Sequence, residues 1–467
     1  MDRPNAWNSY KKAQLKEVDA LAKDYINFIS EGKTERECVK LAEKEAKAHG
    51  YISLDEAIKK GKKLKAGDKV YAINMKKTIV LYNIGKKPLE DGMAILGAHI
   101  DSPRLDIKQN PLYEDTEFAY LDTHYYGGIK KYQWTALPLA IHGVIVKNDG
   151  TVIDVCIGEK EDDPVFCISD LLPHLASEIM DKKASKFIEG EALDILIGSQ
   201  PLPDSTKDEK EKSDAVKKNI IKLLDEIYGV DEEDFLSAEL EVVPAGRARE
   251  AGLDRSLILA YGQDDKVCAY TSLRAMLAVE KPEYTTCCLL VDKEEIGSVG
   301  ATGMRSQFFE NTVAELVGLT GDYDERLVKR CLANSRMLSS DVSAGYDPTY
   351  ASVFEKKNAA MVGHGMVFNK FTGSRGKSGS NDANAEYMAR IRGVLDKEKV
   401  AYQTAELGKV DIGGGGTIAY ILALYGMEVI DCGVAVLNMH APWELTSKAD
   451  LFETERGYEC FLKGIFS

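Results

Sequence analysis

The sequence predicts an α/β protein in which one large sheet-and-helix unit is interrupted by a β-rich insertion. Three observations carry this. Apolar runs such as Met93-Ala94-Ile95-Leu96-Gly97-Ala98 and Thr286-Cys287-Cys288-Leu289-Leu290 stop abruptly at polar residues, as strands buried on both faces of a sheet do. They alternate with stretches whose apolar residues recur at helical spacing, the pattern of helices laid against a sheet. From about residue 103 to 252 the texture changes to turn-punctuated, strand-like runs. We assign residues 1–102 and 253–467 to one domain and 103–252 to a second, inserted one; 467 residues suffice for both.

In chain order, residues 10–30 place Leu15, Val18, Leu21, Ala22, Tyr25 and Ile29 at helical spacing with charges between them, an amphipathic helix. A second helix covers residues 35–49 and stops before Gly50, with His49 in its last turn. Residues 70–74 and 78–82 read as a hairpin around Met75-Lys76-Lys77, and residues 93–101 as a central strand running into a polar end. In the insertion, residues 136–146 and 151–157 are strand-like on either side of Lys147-Asn148-Asp149-Gly150, a turn signal. Residues 199–219, rich in Lys, Asp, Glu, Ser and Pro, read as an exposed loop leading into a helix. The α/β pattern resumes at residues 257–261, with helices over 384–394, 417–424 and 448–462 and a strand over 429–436.

Composition narrows the function. A formal net charge of −15 and a pI near 5.2 exclude a nucleic-acid binder, which needs clustered Lys and Arg. No secretory leader is visible at Met1-Asp2-Arg3-Pro4, and no run of about 18 apolar residues spans a membrane. A cytoplasmic protein is expected. The nine cysteines are scattered, without a Cys-x-x-Cys pair, so a thiolate zinc site is not expected and any metal must use His and carboxylate.

Ionisable residues recur just past apolar runs: His99 with Asp101, Asp264 with Asp265, Glu294 with Glu295, Asp341 and His440. Taken singly, a strand-end Asp caps a turn and a Glu-Glu pair is a solvated loop. Strand ends of one parallel sheet share an edge, however, and that edge is where α/β ligands bind. Two His and several carboxylates form a ligand set suited to zinc, cobalt or manganese. A bridging carboxylate among them would hold two ions about 3.5–4 Å apart. Of the adjacent glutamates, one could hold metal while the other moves a proton.

The motifs Gly97-Ala98-His99-Ile100-Asp101-Ser102-Pro103, Asp264-Asp265, Asp292-Lys293-Glu294-Glu295-Ile296-Gly297-Ser298, Ser340-Asp341 and Met439-His440 resemble, in that order, the aspartyl aminopeptidase family of metallo-aminopeptidases, which includes the vacuolar aminopeptidase. Pro173-His174-Leu175-Ala176 also resembles a motif of that family, so the likeness spans almost the whole chain. It implies a zinc-peptidase (phosphorylase/hydrolase-like) three-layer domain with a β-rich oligomerisation domain inserted in it. It implies two zinc ions, with Asp264 bridging them, His99 and Asp341 completing one, and Glu295 and His440 the other. The Asp264–Asp265 peptide would be cis. Asp101 would orient His99. Glu294 would be the general base that deprotonates a metal-bridging water and returns the proton to the leaving amine. His174 would stabilise the oxyanion, supplied by a neighbouring subunit. The expected partners are peptides with a free N-terminus and further copies of the chain, in a tetrahedral dodecamer.

The resemblance gives no role to His124, His142 or His364. Gly413-Gly414-Gly415-Gly416 lacks the Lys-Ser/Thr of a nucleotide loop and reads as close backbone packing or a contact to the substrate backbone. Lys293 reads as a solvated flank of the acidic pair. A preference for acidic N-terminal residues would need a cation in the pocket. The stretch Asn369-Lys370-Phe371-Thr372-Gly373-Ser374-Arg375-Gly376-Lys377 departs from the family there, with Asn369 where a Lys is expected. The rival readings are a two-metal carboxypeptidase or amide deacylase, and a non-catalytic cage protein on the same fold.

Overall fold

The computed structural model describes residues 3–203 and 214–466. Of the stretch read as an exposed loop, residues 204–213 lie outside the described residues; the helix expected after it is Ala215–Tyr228. The protein is mixed α/β and forms two compact units. One holds the chain up to Ser102, Ala248–Met439 and the chain from Glu444 onward; the other holds Pro103–Arg247 and His440–Trp443.

The first unit is built on a nine-stranded sheet. Its centre is Thr285–Val291, Met93–His99, Arg336–Ser340 and Glu428–Gly433, side by side and parallel. Met93–His99 and Thr285–Val291 are buried throughout, which is why they read as unbroken apolar runs. Antiparallel strands extend the sheet: the hairpin Lys69–Asn74 and Thr78–Asn83 beside Thr285–Val291, and Met366–Asn369 beside Glu428–Gly433. The three-residue turn Met75-Lys76-Lys77 has φ of 47° and 61° at Met75 and Lys76, the left-handed backbone that a tight hairpin takes even without Asn-Gly. One core cluster joins the helices Lys12–Glu31, Gln263–Ala278 and Lys448–Gly464 to one side of the sheet, and a second joins Phe308–Thr320 and Glu325–Asn334 to strand residues of alternate direction.

A five-stranded sheet in the same unit includes Leu257–Ala260 and, antiparallel to it, Glu444–Ser447. The chain leaves Ala260, turns at Gly262 and enters Gln263–Ala278. That helix is buried almost all round, so it shows no amphipathic stripe in the sequence.

The second unit contains a six-stranded antiparallel sheet. Leu139–Val146 pairs with Val152–Ile157 across the expected turn. The first strand begins at Leu139, not at 136, because Pro138 has no N–H for the ladder and Ala136 has φ 56°. The cysteines carry no disulfide, and Cys38, Cys268, Cys287, Cys288, Cys331 and Cys432 are buried. No helix among the described residues is long and apolar enough to cross a membrane.

Candidate metal centre

Register brings the chemistry to one edge. Val291 lies opposite His99, and Ser339 opposite Gly97, so three parallel strands end nearly level. The residues just beyond those ends are Asp101, Asp292 to Glu295, and Asp341.

His99 is 2% exposed. Its Nδ1 lies 3.0 Å from the Asp101 carbonyl oxygen and 3.3 Å from Asp101 Oδ1. Its Nε2 lies 3.2 Å from Asp264 Oδ1 and 3.9 Å from Glu294 Oε2. Donating Nδ1–H to Asp101 turns Nε2 toward the other carboxylates. Burial depresses the imidazole pKa, but hydrogen bonds to Asp101 and Asp264 and the Glu294 charge outweigh it and hold it well above the ordinary value. A field that favours a proton on Nε2 favours any cation there.

Asp101 is fully buried and does a second job. Its Oδ1 accepts the Glu294 N–H at 3.1 Å and its Oδ2 the Glu295 N–H at 3.2 Å. The short turn Glu294–Ile296 starts after Lys293 at φ 69° and ends at Gly297 at φ 95°. These backbone reversals take both glutamates out of strand alternation, so one carboxylate pair can serve one site.

Asp264 and Asp265 open the Gln263–Ala278 helix with non-helical backbone and are joined by a cis peptide. Asp264 N–H donates to Glu444 Oε2 at 3.1 Å, and the Asp264 carbonyl accepts from Ser102 Oγ at 2.7 Å. Asp265 Oδ2 accepts the His99 N–H at 3.3 Å, while its buried Oδ1 has no hydrogen-bond partner. Donor atoms of His99, Asp264 and Glu295 lie within 4.8 Å of one another, as do those of His99, Asp265 and Asp341. Burial, then the charges of Asp265, Glu294 and Asp264, raise the Asp341 carboxyl well above the usual range. Burial, then the Asp264 charge, do the same to Asp265, against the pull of His99. Crowded buried carboxylates beside an imidazole fit a divalent cation, which relieves their repulsion.

Of the residues singled out from the sequence, the structure gathers His99, Asp101, Asp264, Glu294, Glu295 and Asp341. His440 belongs to the second unit, where its Nδ1–H donates to the Gly128 carbonyl at 2.9 Å, directing the ring's lone pair to Nε2. His174 is exposed in the turn Pro173–Leu175 of that unit. His49 and His364 bond backbone carbonyls of Glu45 and Arg3, and buried His142 faces Glu159 at 3.1 Å. Sequence reasoning gave no role to Asp265, Ser102, Lys266 or Glu444. Glu444 is 1% exposed inside a strand, a burial that nothing in the sequence after Met439-His440 announces.

The peptidase M18 family model, described as aminopeptidase I zinc metalloprotease, matches residues 28–462. A probable M18 family aminopeptidase 1 of Clostridium acetobutylicum is 64% identical over 458 residues, covering 98% of this chain and 97% of its own. The crystal structure of an M18 family aminopeptidase from Thermotoga maritima matches with a TM-score of 0.93 at 46% identity, covering 99% of this chain and 100% of its own. Aminopeptidase I from Clostridium acetobutylicum matches with a TM-score of 0.90 at 58% identity, over 99% of both chains. With the family model matched over residues 28–462 and a relative 64% identical along nearly the full length of both chains, the chain belongs to the M18 family of aminopeptidase I zinc metalloproteases.

Proposed function

We propose that this metallo-aminopeptidase removes N-terminal residues from peptides at a centre of two divalent ions. Zinc is the first choice of metal, with cobalt or manganese as substitutes. His99, Asp264, Glu295, Asp341 and His440 would hold the ions. The carrying observation is that His99 Nε2 faces Asp264 Oδ1 at 3.2 Å and Glu294 Oε2 at 3.9 Å on a buried edge. When bound, the ions supply Lewis acidity, a more acidic water and an anchor for the substrate's free α-amine.

Glu294 is the general base in this reading. Its carboxylate takes a proton from the attacking water and delivers it to the leaving amine nitrogen. The neighbouring Glu295 is a ligand instead. Asp101 keeps both in register, since its two oxygens hold their backbone N–H groups while it orients His99. His174 donates to the oxyanion of the tetrahedral species.

We read the first unit as a three-layer zinc-peptidase domain and the second as an inserted oligomerisation domain. Supporting this, Leu171, Leu172, Leu175 and Met180 are all exposed around His174, an apolar surface suited to being covered. A second copy would cover it and receive His174, within a tetrahedral dodecamer.

The decisive assay compares an amino-acid p-nitroanilide with its N-acetylated form, followed by a panel with Asp, Glu, Leu, Met and Lys at the N-terminus. Rapid turnover of the free amine and none of the blocked form is expected. A preference for the blocked substrate would move the chain to the deacylase reading, and no turnover of either in the zinc, cobalt and manganese forms to the cage reading.

A further inference from the structure

The reading of Asp264 as a metal ligand leaves one buried group without a task. Lys266, two residues on, is 0% exposed. Burying an amine so completely is costly without partners. Its Nζ donates to Ser102 Oγ at 2.6 Å and stands 5.1 Å from the centre of the Tyr261 ring. Ser102 Oγ in turn donates to the Asp264 carbonyl at 2.7 Å.

The direction of this chain is fixed. A hydroxyl has one proton, which here goes to the Asp264 carbonyl, and an ammonium can only donate. Donation from Nζ polarises the hydroxyl and strengthens its bond to the carbonyl. That carbonyl lies in the peptide plane joining Asp264 to Asp265. Holding it therefore holds the plane from which both carboxylates depart, one to His99 Nε2 and one to His99 N–H.

Space is kept for the contact. Gly262 has φ 71°, and a Cβ there would stand 2.5 Å from Lys266 Nζ and 2.8 Å from Ser102 Oγ. At its other end Asp264 is held by Glu444, which accepts its N–H at 3.1 Å.

We propose that Lys266 is a positioning residue for Asp264, acting through Ser102 to fix the peptide that carries both aspartates. The proposal rests on the metal-ligand reading of Asp264. It is tested by calorimetric zinc titration of the metal-free protein and by kcat and KM on an amino-acid p-nitroanilide. The variants are Lys266→Met, Lys266→Arg, Ser102→Ala, the Lys266→Met/Ser102→Ala double and Asp264→Asn. Lys266→Met and Ser102→Ala are each expected to weaken zinc binding by about 10–100-fold, as loss of an orienting partner does. Both should lower kcat with KM little changed. The double variant should be no worse than the poorer single, and Lys266→Arg should recover part of the loss. Wild-type zinc affinity and kcat in folded Lys266→Met and Ser102→Ala, with zinc lost in Asp264→Asn, would overturn the relay alone. Wild-type zinc binding in Asp264→Asn would remove the ligand reading and the relay with it. Should Lys266→Met not fold, Ser102→Ala decides, since it keeps the amine and its ring contact.

Discussion

At the scale of single residues the proposed mechanism gives the two neighbouring glutamates different tasks. Glu294 and Glu295 are chain neighbours held by the two oxygens of Asp101; among the described residues Glu295 groups with His99 and Asp264 as close donors, while Glu294 Oε2 stands 3.9 Å from His99 Nε2. Glu294→Gln is therefore expected to keep its metal content, measured by elemental analysis, and to lose kcat by roughly two to four orders of magnitude. Metal loss in that variant would exchange the two roles. A different residue makes stability depend on pH. Asp431 is fully buried, with Ser339 Oγ donating to its Oδ1 at 3.1 Å and Thr417 to the same oxygen, while its Oδ2 has no partner. Burial pushes its carboxyl up to about 7, with the two hydroxyls pulling the other way. Because the folded pKa lies above the unfolded one, the native state holds a proton that the unfolded chain releases. Its share of stability is full below about pH 4 and is lost as pH rises to about 7. Asp431→Asn should thus gain thermal stability over wild type across that window, by up to roughly 4 kcal/mol. A difference between the two melting curves that does not change with pH would refute this.

At the scale of elements, what could be read in advance was what burial writes into sequence. Met93–His99 and Thr285–Val291 showed as apolar runs because both faces are covered. The hairpin at residues 69–83 showed through its flanking strands although its turn carries Met75 and Lys76. The five main ligand candidates and Glu294 were visible through the family order of motifs. The supports were not, because they are made by distant pairs: Ser102 meets Lys266 across 164 residues, and Asp264 meets Glu444 across 180. No local periodicity encodes such contacts. Gly433 shows how tightly the elements meet near the site. A Cβ there would lie 2.2 Å from the Asp341 carbonyl oxygen and 2.7 Å from Cys268 Sγ. Gly433→Ala is expected to displace Asp341, lowering both zinc occupancy and stability, the latter by about 1–3 kcal/mol as in overpacked cores. Unchanged zinc stoichiometry and melting temperature would show that the strand yields without moving Asp341.

At the scale of the whole molecule, membership of a zinc metalloprotease family predicts that chelation stops turnover and that zinc restores it; activity that survives exhaustive dialysis against a chelator would contradict this. Native mass spectrometry checks the proposed assembly, whose expected mass is that of a dodecamer of 51.5 kDa chains. Loss of assembly in a Leu172→Asp/Leu175→Asp double variant would locate its contacts on the apolar surface around His174. The division into two units has a further consequence for anyone who would trim the protein. The chain passes from the first unit to the second between Ser102 and Pro103 and comes back at Ala248. A minimal enzyme made by excising the insertion would place its new splice at the very residue whose hydroxyl holds the Asp264 carbonyl, and would leave His440 without the Gly128 carbonyl that accepts its Nδ1–H. The insertion is thus tied to the proposed site by the chain at Ser102 and by the Gly128 carbonyl on His440, and redesign of this scaffold has to proceed by substitution within it, not by deletion of it.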